Sequence, residues 1–273
     1  MDAMIAEALK VGAVPAAGGV VTLAAARLVR PERRVGVVAA LMLATYVVAH
    51  GLIAGWPKLP PARALQAVPL VGVGALLLSG AGGGGRGAVA RGVVAAGTVW
   101  FLLGRLGGWE PGERALWLGG TGLVSWVLLG TATRGGRSVE TIGALALVTG
   151  GAAGSAMLNH SAKLAELGGA LAVSLAVVAL ATWWRPCKHV AAGAMVSGAT
   201  LLGALLVYDQ HYVEVPLDET LLLVAGWASL LLPGAGGERK AMVRRALVAA
   251  LPVIAALVLG FVRRQAAGES SYY

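Results

Sequence analysis

Arg30–Thr45 reads RPERRVGVVAALMLAT, and 155 positions later Arg185–Thr200 reads RPCKHVAAGAMVSGAT. Six of the sixteen positions are identical, and Arg33 faces Lys188. Each copy is a basic turn that ends one apolar segment and opens the next. Such a corner belongs to a membrane hairpin, and its return implies that the hairpin has been used more than once.

The composition agrees. At 58% hydrophobic and 13% charged, with a mean hydropathy of +0.78, the chain cannot cover a soluble surface. The 41 glycines lower helix stability in water but let helices approach closely in a bilayer. A lone Cys187 excludes an internal disulfide and any CxxC centre.

A helix needs roughly 20 apolar residues to cross a bilayer. Ten segments qualify: 11–29, 35–54, 64–80, 88–104, 115–131, 139–158, 164–184, 190–208, 220–232 and 242–262. The ninth is short. No alternating strand pattern competes, so the expected fold is an all-α polytopic membrane protein of about ten transmembrane helices in hairpins. It forms a single integral membrane domain over residues 1–273, with a polar tail at 265–273. The N-terminal MDAMIAEALK has no basic region before its apolar stretch, so no signal cleavage is expected.

The formal charge of +9 would suggest nucleic acid in a soluble chain. Here fourteen of the 22 basic residues lie at the turns after odd-numbered segments, with three of the thirteen acids (Glu32, Glu140 and Glu238). This is an orientation signal. It places the five tight turns in the cytoplasm and both termini outside, makes the lipid bilayer the partner, and leaves no role for nucleic acid. Short loops and strong apolarity fit a bacterial inner membrane.

A second repeat supports the first. Leu76–Gly83, LLLSGAGG, returns as LLLPGAGG at Leu230–Gly237, and Arg91 then aligns with Arg245. Segments one to four match seven to ten, giving repeat A (1–110), a linking hairpin (111–160) and repeat B (161–264). An even offset in helix number predicts a parallel duplication about an axis along the membrane normal.

The spans carry almost no charge. Glu140, behind Ser138, is expected to cap a helix start, and Arg91, Arg244 and Arg245 to snorkel to the cytoplasmic face. Polar groups gather instead at the outer ends of even-numbered segments: Tyr46 and His50, four apart on one face; Asn159 and His160; Tyr208, Asp209 and His211. Trp56 and Trp109 sit at the same depth. These side chains could line an outward vestibule, or could mark the membrane interface.

No catalytic motif is present, and the glycine run at 82–85 lacks the ending of a phosphate loop. The chain therefore reads as a permease or channel-like carrier for a small solute rather than an enzyme. A structural or assembly subunit with protein partners in a larger membrane complex is the alternative. A weaker one is a haem or copper redox protein using His50, His160 or His211, although no HxH, HxxxH or CxxCH spacing backs it. The sequence names no cofactor.

Overall fold

The computed structural model describes residues 9–81, 84–104, 106, 109–131, 138–231 and 238–270. The expected basic turns at 132–137 and 232–237 lie outside the described residues. So do the side chains of Ser138 and Glu140 and the last three residues of the tail.

Among the described residues the structure is helical, with no strand. The helices are α1 (Val14–Leu28), α2 (Pro31–Ala54), α3 (Ala64–Gly72), α4 (Gly74–Ala81), α5 (Gly84–Leu103), α6 (Pro111–Leu128), α7 (Ser138–Leu158), α8 (Ala162–Trp184), α9 (Lys188–Tyr208), α10 (Leu217–Ala228) and α11 (Glu238–Ser270). Eight segments are long and apolar enough to cross a membrane, with α3 and α4 together forming one. This is an all-α polytopic membrane protein.

The fifth and ninth expected segments, α6 and α10, fall outside those eight. Twelve residues make α10 only about 18 Å long against a hydrocarbon core of about 30 Å.

Local chemistry sets the boundaries. Pro31 opens α2 at its first turn, where the missing N–H costs nothing, and Arg30 before it is extended (φ −58°, ψ 143°). In the second copy Pro186 precedes the helix, which begins at Lys188. Pro69 lies inside α3 and leaves Leu65 O without its helical donor, and the helix breaks at Val73 between Gly72 and Gly74, where glycine weakens it.

α9 is the axis of the bundle, with 94% of its apolar window buried. It packs against α2, α3, α7 and α8. Its glycines admit these neighbours: a Cβ on Gly193 would lie 2.6 Å from Val35 O and 2.6 Å from Val38 Cβ of α2. Ser197 Oγ donates to Ala39 O at 2.9 Å across the same crossing. α1 meets α8 in like fashion, Gly19 lying against Val177 and Ser174 O. α7 packs on α8 and α11, and α10 lies on α11.

Exposed apolar side chains such as Val20, Leu77, Trp100, Leu251 and Val258 cover the perimeter, as a lipid-facing surface requires. Arg245 does not snorkel as expected. It is 5% exposed, and its Nη1 donates to Leu230 O at 2.9 Å. Arg91 lies 4.7 Å over the Trp126 ring.

Candidate functional site

The α-helical ladder of α9 ends at Tyr208 and widens into a π-helical turn, Asp209–Val213. Glu214 closes the turn in the left-handed conformation (φ 59°), its N–H bonded to Asp209 O. Wide turns of this kind re-aim side chains and are common at functional sites. Here the turn presents Gln210 and His211 beside α6 and α10, with Asp209 and Tyr212 on the same turn.

A cavity of ≈ 290 Å³ lies between α6, α9 and α10. Its wall is mostly apolar, with Leu128, Leu206, Val207 and Trp227 at the inner side. Leu116, Val124, Leu217 and Leu221 line it and are exposed, so it opens on the lipid-facing perimeter between α6 and α10. Gln210, His211 and Thr220 bring polar groups into the wall. Gln210 Oε1 and Thr220 Oγ1 are buried and have no hydrogen-bond partner among the described residues. Such atoms cost free energy unless something else satisfies them. His211 is held by two indole rings edge-on, Trp109 at 5.6 Å and Trp117 at 5.2 Å between centroids.

Behind the cavity lies a buried carboxylate. Glu219, in the first turn of α10, is fully buried. Its Oε2 accepts from Ser155 Oγ and Asn159 Nδ2, both at 3.0 Å, and its Oε1 accepts from Arg263 Nη1 at 3.1 Å. The same guanidinium forks onto Asp218, donating to Oδ1 at 2.8 Å and also to Oδ2. That hydrogen bonding holds the exposed Asp218 carboxyl below its ordinary value. Gly260 leaves the room: a Cβ there would stand 3.0 Å from Glu219 Oε2. The cluster ties α7, α10 and α11 together.

The polar residues expected at the outer ends occupy several settings. Asn159 belongs to the Glu219 cluster. Asp209, 3% exposed, is within electrostatic reach of Glu219, and its Oδ1 has no hydrogen-bond partner among the described residues. His211 lines the cavity, and Tyr208 stacks on Tyr212 at 4.8 Å. His160 sits exposed on the turn between α7 and α8 with φ 65°. Tyr46 is buried in α2, 6.3 Å from the His50 ring.

Both ring nitrogens of His50 face backbone carbonyls, Nδ1 to Gly55 O at 3.0 Å and Nε2 to Leu65 O at 3.1 Å. His50 thus braces the connection from α2 to α3. His50→Ala is expected to lower stability by about 1–3 kcal/mol, since the fully buried ring and its contacts to two backbone carbonyls are lost. Unfolding in detergent micelles measures this, and an unchanged transition contradicts the bracing role.

Glu219, Gln210, Thr220, Trp117 and Arg263 were not among the residues expected to form a site. Glu219 stood one residue outside the expected ninth segment. The helix begins at Leu217, which draws the acid pair into its first turn. The readable signal was an acid pair opening one segment and Arg263 closing the next, on the same side of the membrane.

Among the described residues no group of three or more His, Cys, Asp or Glu side chains is placed to hold a metal ion. Comparison with known protein families, curated proteins and solved structures gives no match to this chain.

Proposed function

We propose that the protein is a bacterial inner-membrane permease or channel-like carrier for a small, weakly polar solute, held in the cavity between α6, α9 and α10. One observation carries this reading: a mostly apolar cavity opens at the wide turn of the central helix, with Gln210, His211, Thr121 and Thr220 among its lining residues. A solute with an apolar body and one or two hydrogen-bonding groups would suit such a lining. His211 would orient it between Trp109 and Trp117. Asn159 and Asp209 act from behind, through the charge network around Glu219. The lateral opening suits a solute that partitions into lipid.

Short or interrupted helices point to the binding site in transporters built from repeats. α10 borders the cavity, and α3 breaks at Val73, next to the residue that aligns with the end of α10. Aligned residues also meet each other. Gly19 touches Ser174, its counterpart 155 positions on, and Gly193 touches Val38, its own counterpart. Contacts between equivalent positions are what a two-fold axis between parallel copies produces. They support the duplication of segments one to four as segments seven to ten; the orientation, with the basic turns cytoplasmic and both termini outside, rests on the distribution of basic residues.

The test is flux from liposomes containing the purified protein, with a panel running from glycerol to indole. Members of the panel that protein-free liposomes retain are expected to exit faster when the protein is present. Gly120 lines the cavity, and a Cβ there meets nothing within 4 Å. Gly120→Phe should therefore fill the space without strain and cut flux at least about tenfold, equivalent to about 1.4 kcal/mol. Flux no faster than from empty liposomes across the panel overturns the carrier reading. Loss of a co-purifying protein in Gly120→Phe would show that the cavity receives a partner helix instead.

A further inference from the structure

A second cavity, of ≈ 560 Å³, lies at the opposite end of the bundle, where α1 and α8 end and α2 and α9 begin. Three arginines line it: Arg27 from the last turn of α1, Arg34 from the first turns of α2, and Arg185 from the Arg-Pro turn before α9. Arg34 Nε donates to Val29 O at 3.0 Å, which fixes that side chain against the turn. Among the described residues none of the three is paired with a carboxylate, and Glu32, the acid of the first turn, does not line the cavity. Ala26 and Ala181, which align across the two copies, both line it. The cavity therefore lies where the two Arg-Pro corners face each other.

Three like charges gather around one space, Arg27 and Arg185 exposed and Arg34 half-buried, and guanidinium forks match phosphate oxygens. Trp184 lines the cavity and is 71% exposed, and Leu28 beside Arg27 is 89% exposed. An exposed indole at this level is the kind of side chain found at the depth of lipid headgroups. Basic pockets between transmembrane helices bind such headgroups.

We infer that this cavity is a binding site for a phosphate-bearing anion, held jointly by Arg27, Arg34 and Arg185. It does not depend on the carrier reading, because it shares no residue with the solute cavity.

Thermal unfolding of the whole protein in micelles tests it in two arms: phosphatidylglycerol against phosphatidylcholine, and inorganic phosphate without added lipid. Phosphatidylglycerol is expected to raise the transition saturably, and phosphatidylcholine is not. In Arg27→Gln/Arg185→Gln the rise should fall to below about a third, whereas Arg33→Gln, exposed and outside the cavity, keeps it. Arg27→Lys/Arg185→Lys, which retains charge without the fork, should keep an intermediate response and guards against a double variant that fails to fold. A rise with phosphatidylglycerol alone assigns the anion to lipid; an equal rise with inorganic phosphate assigns it to a soluble phosphate. Equal responses to the two lipids, an equal loss in Arg33→Gln, or no response in either arm overturns the site.

Discussion

Gly193→Leu will leave no folded protein in the membrane. α2 and α9 cross so closely that even a Cβ at this position would lie 2.6 Å from the Val35 carbonyl oxygen. That obstacle is backbone, which cannot rotate aside as a side chain would. Gly193→Ala is therefore expected to force the helices apart and cost about 1–3 kcal/mol, the usual range for overpacking. Separation would also lengthen the bond from Ser197 Oγ to Ala39 O, so the crossing loses packing and a hydrogen bond together. The control is Gly97→Ala in α5, where an added Cβ meets nothing within 4 Å. It should be neutral or slightly stabilising, because alanine is the better helix former. Size-exclusion profiles and unfolding in micelles decide: equal behaviour of the two alanine variants would mean that α9 is not packed at van der Waals limits against α2.

The same crossing separates what hydropathy can tell from what it cannot. α9 and α11 read alike as apolar spans, yet 94% of one window is buried and 28% of the other. A lipid tail is as apolar as a leucine, so the bilayer sets no pattern that distinguishes a protein-facing helix from a lipid-facing one. The Arg-Pro turns were legible because proline and charge act locally. Their meeting around one cavity was not, since it depends on helices more than 150 residues apart. His50 shows the same limit at the scale of a side chain. Its spacing from Tyr46 gives a shared helix face, but its partners are carbonyls at Gly55 and Leu65, supplied by the chain reversal after α2. Glu219 was the least legible. An acid next to a helix start normally sits in solvent, and its burial rests on Ser155, Asn159 and Arg263, none closer than 44 residues in sequence.

Glu219→Ala should be the most damaging polar substitution in the bundle. It removes the acceptor shared by Ser155, Asn159 and Arg263, leaving the buried Ser155 hydroxyl without it beside a new void, while Arg263 keeps Asp218 and Asn159 keeps Ser155 O. Only Glu219 is buried and Arg263 is 45% exposed, so the cost comes from the buried hydrogen bonds to Glu219 that are lost, about 1–3 kcal/mol. Arg263→Ala should also destabilise, because it strands the Glu219 carboxylate without its cation. The double variant Glu219→Ala/Arg263→Ala strands neither charge and should be more stable than the sum of the single effects implies. Additive losses would mean that the two groups do not act as a pair. Acid provides an independent check through Asp218. Arg263 holds this carboxyl below its ordinary value of 3.8, so the stability it contributes is complete above that value and disappears as pH falls through the lowered one. Wild-type protein should lose stability across that acid range, and Arg263→Ala should lack this part of the loss. If both share the same acid profile, the guanidinium is not what holds Asp218, and the cluster joining α7, α10 and α11 must be organised around Glu219 alone.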